Sequence, residues 1–188
     1  EAIFEKAEDD VSHKGMGATV ACAWVIGFQL YIAYAGDSRI YLIRGKAIFQ
    51  LSRDHTWVQE ALEKGIIDNE GLKSHPNLHV IRRYLGASEP PEPDLRMFLA
   101  PEETDAKAKS NQGLTLEPGD VVLLCTDGLT DLVDNSEIRD SLNGRTLSQA
   151  ADVLIELANS RGGHDNITVV MLGVPPGNKK ASVAWVPG

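Results

Sequence analysis

Two short acidic loops carry the residue types that could do chemistry in this chain. The first is Thr126-Asp127-Gly128-Leu129-Thr130-Asp131, which follows the aliphatic run Val121-Val122-Leu123-Leu124-Cys125. The second is Gly163-His164-Asp165-Asn166, which opens the run Ile167-Thr168-Val169-Val170-Met171-Leu172. Short apolar, β-branched runs read as buried strands. A carboxylate at the mouth of such a strand sits on a rigid base with little water, where desolvation penalises a lone anion and favours a counter-cation. Brought together, the two mouths would make an oxygen-rich site. Magnesium and manganese prefer carboxylate and water oxygens, and a cation with few protein ligands can activate one of its waters. Asp131 lies four residues after Asp127, so one turn of helix would point both carboxylates the same way.

The elements that must position these loops follow from pattern and turn chemistry. Residues 1–14 read as the end of a helix. Ala18–Ile26, Gln29–Ala35, Arg39–Arg44 and Ala47–Leu51 read as four strands joined by turns of a few residues, the signature of antiparallel hairpins. Thr56–Lys64 carries Val58, Ala61 and Leu62 at helical spacing, with Gly65 at the C-terminal stop. The stretch 66–84 is irregular, as expected of a flap beside a site. Leu95–Leu99, Gly113–Leu116 and Val121–Cys125 read as further strands, with 102–111 as a polar loop. Asn135-Ser136 starts a short helix. Thr146-Leu147-Ser148-Gln149 is a capping box, opening a helix with Ala150, Val153, Leu154, Leu157 and Ala158 on one face. The last strand runs 167–173, leaving a tail over 174–188. Strand runs segregated from helix runs define an α+β domain, with helices packed on antiparallel sheets.

Bulk properties narrow the partners. The 188 residues suffice for one domain with a substantial core. A formal net charge of −9 argues against nucleic acid or an anionic membrane as partner. The two cysteines, Cys22 and Cys125, lie in apolar runs and form neither a disulfide framework nor a zinc spacing. No apolar run approaches the ~20 residues of a membrane span, and a reducing cytoplasm is the expected setting. Cys125 lacks the downstream arginine of a cysteine-phosphatase loop, and no Gly-Lys-Ser/Thr loop, His-Glu-x-x-His or nucleophile elbow is present. His13, His55, His75, His79 and His164 are scattered and read as surface or loop residues. Of these, His55 and His164 adjoin candidate aspartates.

Five blocks in order make the pattern specific: Gly15-Met16-Gly17-Ala18-Thr19, Gly36-Asp37-Ser38-Arg39, Ser52-Arg53-Asp54-His55-Thr56, Thr126–Asp131 and Gly163–Thr168. From about Gly15 to Leu172 the chain resembles the metal-dependent serine/threonine protein phosphatases of the type 2C family, in their bacterial form. The resemblance implies a sandwich of two antiparallel β-sheets flanked by helices, with the metals in a cleft at one end. It implies Asp127 and Asp165 as catalytic metal ligands, Asp54 and Asp131 as holders of a third, looser metal, and 66–84 as the flap. Asp37 reads as a structural turn residue, and a helix cap or exposed turn is the competing account of Asp54. The implied reaction is hydrolysis of phosphoserine or phosphothreonine in proteins by a metal-activated water. It would use two Mn2+ or Mg2+ ions, with a third, looser one, on substrates of a serine/threonine kinase. One departure stands out: the family's N-terminal Asp-Gly block, whose aspartate bridges the metals, has no match ahead of Gly15. The expected organisation is therefore an N-terminally incomplete catalytic domain over 1–173, lacking the first strands of a sheet, plus the tail. A non-catalytic binding or regulatory domain of the same fold is the alternative.

Overall fold

The computed structural model describes residues 2–68 and 75–175. The expected flap is thus described except for 69–74, and residues 176–188 of the expected tail lie outside the described residues. After an N-terminal helix, α1 (Ala2–Asp9), come β1 (Val20–Ile26), β2 (Gln29–Ala35), β3 (Arg39–Arg44) and β4 (Ala47–Gln50). Then follow α2 (Trp57–Glu63), α3 (Asp105–Ser110), β5 (Leu114–Thr115), β6 (Val121–Cys125), α4 (Asp127–Thr130), α5 (Asn135–Asp140), α6 (Leu147–Ser160) and β7 (Val169–Gly173). The strands form two antiparallel sheets, ordered β1-β2-β5 and β4-β3-β6-β7.

Between the sheets lie Leu30, Ile32 and Tyr34 of β2, Ile40 and Leu42 of β3, and Val122 of β6, all buried. The opposite face of β3 and β6 presents Tyr41, Ile43, Leu123 and Cys125 to Leu129, Val133, Ile138, Leu154 and Ala158 on the helical side. Both faces of these central strands are therefore covered, which is why their sequences are continuous apolar runs rather than alternating ones. The capping box of α6 forms as read, with Thr146 accepting from the Gln149 amide and Gln149 reaching back.

Three expectations change. The turn at Gly36-Asp37-Ser38 does not close a hairpin: β2 and β3 lie in different sheets, and the turn carries the chain across. Gly36 has φ +113, and a Cβ there would stand 2.3 Å from the Thr19 methyl, so only glycine fits this crossing. Leu95–Leu99 forms no strand. Arg96 donates to the Asp94 carboxylate, Met97 to the Ala108 carbonyl, Phe98 to the Leu51 carbonyl and Leu99 to the Glu103 carboxylate, so its amides are satisfied by separate partners instead of one ladder. The polar stretch 102–111 holds α3, capped by the Thr104 side chain. It buries only Ala108, leaving no apolar stripe to betray it.

Two edges expose apolar side chains. β1 alternates, with Val20, Trp24 and Ile26 exposed, and on edge strand β7 Val170 and Leu172 are exposed.

Candidate metal and phosphoryl site

β6 delivers the first acidic loop and β7 departs from the second. Their pairing, Cys125 opposite Val169, fixes the two loops at the same end of the sheet. Beyond the ladder the loops stay stitched. The Thr126 hydroxyl donates to the Asn166 carbonyl at 2.9 Å and accepts from the Thr168 amide at 3.0 Å, and the Thr126 amide donates to Thr168 O at 3.2 Å. Gly128 packs against this strand mouth so closely that a Cβ would lie 2.6 Å from the Asn166 carbonyl oxygen. The glycine is thus required by approach.

Asp127 opens α4 and Asp131 closes it, the Asp131 amide donating to the Asp127 carbonyl at 2.9 Å. This single turn sets both carboxylates on one side, as the spacing predicts. Ligand atoms of His79, Asp127 and Asp131 all fall within 4.8 Å of one another. His164 Nε2 stands 3.7 Å from Asp131 Oδ2. Burial, then the charge of Asp131 and, more weakly, that of Asp165, push the Asp127 carboxyl above its usual range. A partly buried Asp127 whose ionisation is disfavoured by Asp131 and Asp165, with imidazoles close by, is part of a donor set suited to a divalent cation. Asp165 itself is exposed, one oxygen accepting from the Asn166 amide at 2.6 Å.

Asp54 stands apart from that group. Arg39 grips both of its oxygens, with Nε at 3.0 and 3.1 Å and Nη2 at 2.7 Å, and Gln50 adds a bond at 3.3 Å. Neither the cap nor the exposed turn describes it, because Thr56 caps α2 and the Asp54 side chain is mostly buried. His55 is a core histidine. Its Nδ1 accepts from the Gly36 amide at 3.1 Å, so Nε2 carries the proton shared with Asp94 at 3.0 Å. Arg82 and Arg83 turn toward Glu60 and Asp94 respectively.

The residues that sequence reasoning passed over are Asp37 and His79. Asp37 is buried. Desolvation, then the charges of Asp127 and Asp54, raise its carboxyl to about 6, so it belongs to the acidic neighbourhood as well as to the turn. His79 could have been suspected only from its place in the expected flap. Cys125 is no nucleophile, since burial pushes its thiol up to about 12.

Comparison with known proteins identifies the family. The family described as protein phosphatase 2C matches residues 2–80. The "Serine/threonine phosphatase stp" of Listeria monocytogenes is 39% identical over 167 residues, covering 88% of this chain and 60% of that protein. The solved serine/threonine phosphatase PstP/Ppp of Mycobacterium tuberculosis superposes with a TM-score of 0.75 at 34% identity, over 93% of this chain and 67% of that one. A catalytic domain of PstP described in complex with two manganese ions gives a TM-score of 0.69 at 32% identity, over 90% and 64% of the two chains. The chain belongs to the protein phosphatase 2C family. It spans about 60% of the length of the curated relatives it matches.

Proposed function

We propose that this chain forms the larger part of a metal-dependent protein phosphatase that hydrolyses phosphoserine and phosphothreonine. The observation that carries the reading is the convergence of Asp127, Asp131 and Asp165 at the stitched ends of β6 and β7. Asp127 and Asp165 act as ligands of the catalytic ions, and Asp131 holds a further one. Asp54, gripped by Arg39, joins that outer site only if it exchanges this partner. Bound Mn2+ or Mg2+ supplies a water activated for attack on phosphorus and neutralises charge on the phosphoryl oxygens.

The protein's own contribution is positional. The Thr126 hydroxyl, bonded to both sides of the strand mouth, fixes the spacing between the loops. α4 orients Asp127 and Asp131 as one rigid pair. The buried Cys125 and Leu129 beneath them exclude water from the base of the cleft. The manganese-bearing relative supports a divalent ion of this kind, and the relatives known as serine/threonine phosphatases support phosphorylated proteins, the products of a serine/threonine kinase in this proposal, as substrates. Residues 1–173 act as the catalytic unit, and 174–188 follow it as a tail. None of the helices in the described residues is long and apolar enough to cross a membrane.

The test is phosphate release from a phosphothreonine peptide by the full-length protein, with manganese and with chelator. Manganese-dependent release that falls at least about a hundredfold in Asp165→Ala supports the reading. Release unaffected by chelation contradicts it.

A further inference from the structure

His79 reaches the acidic cluster from outside the two loops that the sequence singles out. It lies at the end of the turn 75–79, which is built to hold it. His75 stacks on Trp57 with ring centroids 4.5 Å apart and accepts from the Asn77 amide at 3.1 Å. The Leu78 amide closes onto the His75 carbonyl, and Val80 onto Asn77. Just beyond, the chain is bonded to α2 and its approach: Trp57 donates to the Val80 carbonyl at 2.8 Å, and Arg82 to His55 at 2.7 Å. The imidazole is largely exposed, and its Nδ1 stands 3.7 Å from Asp131 Oδ2.

That separation is too long for a hydrogen bond yet suits two donors of one ion. Ligand atoms about 2.1 Å from a shared cation lie about 3.0 Å apart at right angles and about 4.2 Å apart across it. The geometry points to His79 as a nitrogen ligand of a cation shared with Asp127 and Asp131, making this a mixed imidazole–carboxylate site that takes a first-row transition ion in preference to magnesium. Imidazole binds such ions more readily than it binds magnesium, which keeps to oxygen and gives up water reluctantly. His164 stands equally far from Asp131 but falls outside the group whose ligand atoms all lie within 4.8 Å of one another, and so is the internal comparison. The inference rests on the proposed reading of Asp127 and Asp131 as a cation site.

The experiment uses the full-length protein with Mn2+ and Mg2+ as the probes. Calorimetric titration is made of wild type, His79→Ala, His164→Ala and Asp127→Ala, each checked for folding by circular dichroism. In parallel, pulsed electron paramagnetic resonance at saturating manganese looks for nitrogen-14 coupling from imidazole. The expected result is nitrogen coupling in wild type and His164→Ala that disappears in His79→Ala. Manganese affinity at one site should fall about tenfold or more in that variant, while magnesium affinity stays within about twofold. Coupling absent from wild type, or surviving in His79→Ala, overturns the assignment. If Asp127→Ala then still weakens manganese binding, the cation site stands without its histidine. If Asp127→Ala leaves it unchanged as well, the cation site falls too.

Discussion

Asp127 is held where its own charge is disfavoured: it is partly buried, with Asp131 close by and Asp165 across the cleft. An acid whose folded pKa is raised costs stability at neutral pH, and that cost is relieved as pH falls through the folded value. In chelated protein, Asp127→Asn should therefore be more stable than wild type at neutral pH. Urea denaturation would measure this, and the gap should close toward acid. The same variant should lose manganese-induced stabilisation. Asp94 shows the reverse sign. Burial alone would raise its carboxyl, but bonds from His55 at 3.0 Å and from the Arg96 amide and guanidinium at 2.9–3.0 Å hold it well below the usual carboxylate range. Its stabilisation is present above the unfolded pKa near ~4 and lost as pH falls through the lower folded value. Asp94→Asn should cost about 3–5 kcal/mol at neutral pH by leaving buried partners uncompensated. Its deficit relative to wild type should shrink as denaturation is repeated at falling pH. The Asp127 environment was legible in its strand-mouth setting and its spacing to Asp131, whereas that of Asp94 was not, because His55 comes from a distant segment.

The elements set the spacing between the acidic loops, and Gly128 is the tightest point of that arrangement. A methyl group there meets the Asn166 carbonyl backbone, which cannot rotate away. Gly128→Ala should cost about 1–3 kcal/mol and weaken manganese binding by pushing the Asp165 loop outward, although it removes no ligand. Calorimetric titration beside a thermal melt would separate the two effects. At this scale the sequence was informative wherever local pattern and tertiary demand coincide. The runs 29–35, 39–44 and 121–125 are strands as read, and the Thr146 box starts α6. It misled where long-range partners decide. Extended residues 95–99 bond to separate neighbours, and Gly36 sends the chain to a second sheet because Thr19 crowds it. Asp127, Asp131 and Asp165 could be grouped because each follows or precedes a recognisable strand. His79 lacked any such marker.

Across the whole molecule, apolar surface collects on the edges of the sandwich. Trp24 is 67% exposed and Ile26 54%, on β1, while Val170 is 55% exposed on β7. Exposed apolar edge strands invite pairing with another chain. These 188 residues produced alone should self-associate with rising concentration. Trp24→Lys combined with Val170→Lys should shift the sedimentation profile toward monomer without changing the thermal midpoint by more than a few degrees. The acidic cluster and these edges draw on the same strands, since β7 carries both the Asp165 loop and Val170.

In the proposed function, Asp127 works through a bound divalent cation to cleave phosphate from protein side chains. The most direct test of this is turnover of a phosphothreonine peptide by full-length wild type and Asp127→Asn over a manganese titration. Saturable, manganese-dependent turnover is expected in wild type, with a loss of at least about a hundredfold in the variant that more manganese does not restore. Equal turnover by the two proteins, or none from a folded, manganese-loaded wild type, would contradict it.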